Sequence, residues 1–155
     1  MPIRLQIVTE RFNPISAAIR FTTRGWASHA EFINTETLTT LGARATGVKL
    51  RPSRKDHYSR VEQFSVGNYF DMQQAWDWAF TQLGKPYDFS AIAGIATDRN
   101  WHDEKRWFCS ELVAVAFEKI GRPLLSTRPS SVPWRVTPRD LLMSREIYFL
   151  PEPLL

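Results

Sequence analysis

The sequence predicts an α+β protein in which helices pack against an antiparallel sheet. Three observations carry that expectation. Up to Val66 the apolar residues fall in short runs, several with period-two alternation, punctuated by Gly and Asn. From Asp71 the apolar period lengthens to that of a helix, and glycines close the helical runs. Near the end, "REIYFLP" returns to strand character.

The elements follow in order. "IRLQIV" reads as the first strand, and "ISAAIRFTT" as the second, because Ile15, Ala17, Ile19 and Phe21 alternate. "ASHAEFIN" is a third. "TLTTLGARATGVKLRP" reads as a strand, a Gly-marked turn or bulge, and a further strand. "RVEQFSV" follows and stops at Gly67-Asn68.

"DMQQAWDWAFTQLGK" then reads as a helix, with Asp71 as N-cap and Gln74 completing a capping box. Its apolar face is Ala75, Trp76, Ala79, Phe80 and Leu83, and Gly84 supplies the stop. A short helix around "FSAIAGIA" comes after "KPYD". Beyond the polar segment "TDRNWHDEKR" a helix opens near Cys109, carries Leu112, Val113, Ala116, Phe117 and Ile120 at helical spacing, and closes at Gly121. "VTPRDLL" starts a last short helix with Thr137 as N-cap, Pro138 at the first helical position and Asp140 at the third.

At 155 residues the chain is expected to form one domain, 1–155, with a core that needs neither disulfide nor metal. Hydrophobic residues at 43% and aromatic residues at 13% place it among globular proteins, outside the disordered range. One cysteine excludes an internal disulfide. Cys109, His29, His57 and His102 show no paired metal-ligand spacing, so no zinc site and no cofactor are expected. The start, "MPIRLQIVTERF", lacks the apolar stretch of a secretory signal, and the longest apolar run, "LVAVAF", is too short for a membrane span. The expected location is therefore cytoplasmic, with export by a route that leaves no cleaved signal still open. Oligomeric state has no sequence signal.

The net charge of +4 is concentrated: Arg44, Lys49, Arg51, Arg54, Lys55 and Arg60 face only Asp56 between residues 44 and 60. Such a cluster suits phosphates or an anionic polymer. A solvated basic loop is the commoner meaning of a charge run. No nucleic-acid-binding motif accompanies it, so no specific nucleic-acid partner is expected.

Cys109 is the residue on which function turns. Free cysteine is usually a buried, inert side chain. Against that, Cys109 stands at the first turn of its helix, where unsatisfied N–H groups and the helix dipole favour a thiolate. Its neighbours Arg106, Ser110 and Glu111 are polar, so it need not face the core. A histidine, His29, lies on a strand elsewhere, and a Cys-His pair assembled by the fold is a common way to activate a thiol. His29 by itself, among Ala30, Phe32 and Ile33, reads as readily as a hydrogen-bonded core residue.

"SHAEF", "LGARATGVKLRP", "GKPYDF", "WFCSELVAVAF" and "TPRDLL", in this order, resemble the circularly permuted branch of the NlpC-like papain-fold superfamily, the YiiX-like proteins. There the histidine strand precedes the cysteine helix, as here, and the likeness spans about residues 15 to 145. The resemblance implies a papain-like fold, Cys109 as nucleophile, His29 as general base, and Tyr87 lining the site to position or polarise a substrate carbonyl. It also implies a third polar residue on the next strand, in an E-A-x-x-x-G-V pattern. The matching segment here is "GARATGV", which puts Gly42 at that position. Glu31 is the nearest substitute, since it lies two residues beyond His29 and projects to the same strand face; a surface carboxylate is its other reading.

The implied activity is cysteine-dependent hydrolysis by thiol acyl transfer, first on a peptide such as a peptidoglycan fragment. A lipid or other amide acyltransferase or thioesterase is the alternative within the fold. The alternative outside it is a non-catalytic binding domain that uses the basic 44–60 segment and exposed tryptophan. Trp76 and Trp78, two apart, cannot share one helix face, so one of them is expected outside.

Overall fold

The computed structural model describes residues 2–97, 105–125 and 136–151. The elements run β1 (Ile3–Glu10), α1 (Pro14–Thr23), β2 (His29–Asn34), β3 (Thr39–Arg44), β4 (Gly47–Pro52) and β5 (Tyr58–Val66). They continue with α2 (Tyr69–Phe80), α3 (Ser90–Thr97), α4 (Cys109–Lys119), α5 (Pro138–Leu142) and β6 (Ile147–Leu150). The named strands form one antiparallel sheet in the order β4-β3-β2-β1-β5-β6. Most of "TDRNWHDEKR", His102 included, lies outside the described residues.

Strand alternation sorts the sheet into two faces. Ile3, Leu5 and Ile7 of β1, Ala30 and Phe32 of β2, and Leu41 and Ala43 of β3 turn toward the helices. Met72, Ala75 and Ala79 of α2 and Leu112, Val113, Ala116 and Phe117 of α4 close over them, with the Phe32 and Phe117 rings 5.8 Å apart. The opposite face is also buried, but polar. Gln6 sits between Glu31 and Gln63 in the strand register; Gln63 donates to Gln6, and Gln6 donates to Glu31, each at 3.1 Å. The row is tolerated in the interior because each member is hydrogen-bonded. No helix among the described residues is long and apolar enough to cross a membrane.

The α+β reading and most elements stand; four local expectations need correction. "ISAAIRFTT" is a helix, α1, not a strand. Asn13 caps it through Oδ1, which accepts from the Ile15 and Ser16 amides, and Pro14 supplies a preset φ at the first turn. Its buried residues are Ser16, Ile19 and Thr23, a helical spacing, while Phe21 is 86% exposed. The alternation was a coincidence of two periods.

The second correction moves the cap of α2. Asn68 is the N-cap, accepting from the Phe70 and Asp71 amides, and Asp71 occupies the third helical position and accepts back from the Asn68 amide at 2.8 Å. The buried face accordingly includes Met72 and leaves Phe80 47% exposed. Third, neither Trp76 nor Trp78 stands outside. Both are half-buried: Trp76 packs edge-on to Phe32 at 6.4 Å and Trp78 to Trp107 at 5.7 Å. Fourth, the basic 44–60 stretch is no loop. It holds the end of β3, all of β4, a 3-10 turn at Lys55–His57 and the start of β5, and Arg44 and Arg51 are only partly exposed.

Candidate active site

Cys109 is the first residue of α4, and backbone bonds from outside the helix set its position. The Trp107 amide donates to the Pro86 carbonyl and the Asp88 amide to the Trp107 carbonyl, both at 3.0 Å, which ties the helix entry to Tyr87. The Tyr87 segment is in turn pinned to β4: the Val48 amide donates to the Lys85 carbonyl at 2.9 Å and the Gly84 amide to the Val48 carbonyl at 3.0 Å. Gly47 permits this approach. Its φ is +97°, and a Cβ there would stand 2.7 Å from the Lys85 carbonyl oxygen.

The first helical bond of α4 runs from the Leu112 amide to the Phe108 carbonyl at 3.0 Å. The N–H groups of the first turn thus have no acceptor within the helix, and the positive end of its dipole lies at the sulfur. The polar flank did not keep Cys109 on the surface, contrary to the sequence reading. Cys109 is fully buried, as are Ser110, which donates to the Val136 carbonyl at 2.5 Å, and Glu111, which accepts from the Phe108 amide at 3.3 Å. Glu111 is pushed up to about 7, by burial first and by Asp88 nearby, against the lowering effect of its backbone hydrogen bond.

His29 opens β2 and is 5% exposed. Its Nε2 is hydrogen-bonded to Glu31 Oε2 at 3.2 Å, and Cys109 lies close enough to act on its protonation. Burial alone drives the imidazolium toward neutrality. The charges and hydrogen bonds of Cys109 and Glu31 outweigh it, and His29 is held up at about 10. At neutral pH the imidazole is therefore protonated.

Glu31 is fully buried and not a surface carboxylate. A buried carboxylate requires partners at both oxygens. Oε1 accepts from Gln6 Nε2 and Arg44 Nη2, both at 3.1 Å, and from the Tyr58 hydroxyl at 2.8 Å. Oε2 accepts from Arg44 Nη2 at 3.0 Å beside its contact with His29. Arg44 also pairs through Nη1 with Glu10, whose Oε2 accepts from Asn13 Nδ2 at 2.6 Å. The cap of α1 and the orientation of His29 thus belong to one polar network.

Gly42 explains how Glu31 fits. The register that pairs Phe32 with Leu41 brings Glu31 opposite Gly42, and a Cβ at Gly42 would lie 2.8 Å from Glu31 Cβ and 3.5 Å from Oε2. The space that a side chain at position 42 would take is filled by Glu31 from the neighbouring strand.

Tyr87 is 5% exposed, its ring 5.9 Å from Phe108, and burial followed by the charge of Cys109 raises its hydroxyl above the usual range. His29 and Tyr87 both line a cavity of about 230 Å³ bounded by α1 and the β3–β4 hairpin. His29 and Glu31 are thus hydrogen-bonded, His29 and Tyr87 share a cavity, and Cys109 is near enough to His29 and Tyr87 to act on the protonation of both. Gln6, Arg44, Tyr58 and Glu10 went unrecognised in the sequence. Strand parity was the available signal for Arg44: it lies two residues beyond Gly42, on the same face as Glu31.

No family model and no curated protein matches the sequence. Among solved structures the chain is similar to the metalloprotein YiiX of Escherichia coli O157:H7, with 18% identity, a TM-score of 0.74, and cover of 97% of this chain and 96% of that one. The likeness extends over the whole architecture, and the α+β fold is of the papain-like kind. Among the described residues no group of three or more His, Cys, Asp and Glu side chains is disposed to share an ion. Both Glu31 oxygens, moreover, are already taken up by the donors around them.

Proposed function

We propose that the chain is a cysteine-dependent acyl hydrolase of the permuted NlpC-like kind. One observation supports this above the others: His29, hydrogen-bonded to the buried carboxylate of Glu31, lies near enough to Cys109, at the positive end of α4, for the thiol to act on its protonation. In this reading the Cys109 thiolate attacks an amide or ester carbonyl, and first-turn N–H groups of α4 stabilise the oxyanion. The C–N or C–O bond breaks as His29 gives its proton to the leaving group. Water, deprotonated by His29, then cleaves the thioester and regenerates the thiol. Glu31 orients the ring throughout, and Tyr87 borders the substrate carbonyl. A peptide amide of the cell-wall type is the first substrate class, with a lipid or other acyl ester second.

The test is a panel of peptidoglycan fragments, peptide amides and acyl esters, read by mass spectrometry for an acyl adduct on Cys109 and for released product. Adduct and product should both vanish in Cys109→Ala. The burial of Cys109 favours one rival, a domain that binds without catalysis. That rival prevails if no acyl donor in the panel labels Cys109 while small thiol reagents also fail to reach it in the folded protein.

A further inference from the structure

The basic stretch 44–60 folds around a second cavity, of about 370 Å³, between Thr40 and Arg44 of β3, Arg51 of β4, Arg54, His57 and Tyr58. Its volume falls in the range of small-molecule sites, roughly 300–1,000 Å³. Arg44 and Arg51 form the wall it shares with the His29 cavity.

We propose that this second cavity binds a phosphate group against Arg51 and Arg54. The argument begins with which charges are already matched. Arg44 is paired with Glu10 and Glu31, so its charge is compensated, though its Nε–H is buried without an acceptor. Arg51 is held by neutral oxygens: the carbonyls of Gly42 and Lys49 at 3.1 and 3.3 Å, the Thr46 hydroxyl at 3.0 Å and the Gly47 carbonyl at 2.9 Å. Those bonds engage both Nη atoms and fix the guanidinium in place, with oxygens that carry no formal charge. Burial, and then Arg44 alongside, push Arg51 below the usual guanidinium range, with Glu31 and Tyr58 acting the other way. The Arg54 side chain has no hydrogen-bond or ion-pair partner among the described residues. Asp56, the carboxylate nearest the 3-10 turn, lies 3.7 Å from His57 and is 80% exposed, so solvent screens most of its field.

Two guanidinium groups with no carboxylate in direct contact, those of Arg51 and Arg54, therefore line one cavity, with His57 at its wall. A carboxylate would match one of the charges. A phosphate monoester, with up to two negative charges and three acceptor oxygens, matches both and leaves an oxygen for His57. Arg54 takes no part in the network around His29 and Glu31, so its removal leaves that network intact.

The experiment titrates the full chain with inorganic phosphate by calorimetry and, in a second arm, floats it with phosphatidylcholine vesicles that carry or lack phosphatidic acid. Arg54→Gln and Lys119→Gln are compared, since each removes one exposed positive charge and only Arg54 lines the cavity. Saturable phosphate binding, weakened about tenfold or more in Arg54→Gln and within about twofold in Lys119→Gln, supports a soluble phosphate ligand. No response to free phosphate, but retention on phosphatidic-acid vesicles that Arg54→Gln abolishes, supports the same site with a lipid headgroup as the source. Absence of binding in both arms overturns the proposal, as does equal weakening by the two variants.

Discussion

At the scale of single residues, the site turns on the proton that His29 holds, and that proton is measurable. His29 should stay protonated to about pH 10 in imidazole NMR spectra of the native protein. In Cys109→Ala the largest influence, burial, is opposed by Glu31 alone, so the midpoint should fall clearly. An unchanged midpoint would show that Cys109 does not hold the proton. Cys109→Ala should also abolish turnover while shifting stability by no more than about 1 kcal/mol. Glu31→Gln leaves Arg44 its second partner, Glu10, so the fold should survive. Turnover should drop roughly tenfold to a hundredfold, about 1.4 to 2.7 kcal/mol, because a neutral amide still positions the ring but no longer stabilises its charge. If both turnover and Cys109 alkylation are untouched by Glu31→Gln, the reacting unit is a Cys-His dyad.

At the scale of elements, the decisive contacts are backbone bonds between segments far apart in sequence. β4 holds Lys85, the Tyr87 segment holds Trp107, and Trp107 delivers Cys109 to His29. Gly47→Ala attacks the first link, since the new Cβ meets the Lys85 carbonyl and strains a positive φ. The expected loss is about 1–3 kcal/mol. The local signature is faster hydrogen exchange at the Val48 amide, which donates to Lys85. Unaltered exchange there would mean that this link does not place the helix entry.

For the whole molecule, Glu111 gives stability a pH dependence. Its folded-state pKa is raised from 4.5 to about 7, so the folded chain holds that proton more tightly than the unfolded chain. The associated stability is fully present below pH 4.5 and is lost as pH rises through 7. Glu111→Gln keeps an acceptor for the Phe108 amide and has no proton to lose. Urea midpoints should therefore move in the variant's favour between pH 4.5 and 8, by on the order of 2–3 kcal/mol. A difference that is flat over this range would place the titration elsewhere.

The sequence by itself determined the sheet and the helices that carry strong local signals. Period-two runs, the Thr137-Pro138 cap of α5 and the glycine stops are physics of near neighbours, and they survive folding. Local chemistry pointed to Cys109 and His29, the resemblance implied Tyr87, and strand parity made Glu31 the nearest substitute for a side chain at Gly42. Where two local periods competed, as in "ISAAIRFTT", the Asn13-Pro14 cap and the burial of Ser16, Ile19 and Thr23 decided for a helix. Tertiary structure alone decided that Glu31 is an interior carboxylate, because its partners Gln6, Arg44 and Tyr58 come from three other strands. It alone made Gly42 intelligible, as the space that Glu31 fills from the adjacent strand. Burial of a charge is a property of everything that surrounds it, and those surroundings are brought together only when distant strands pair.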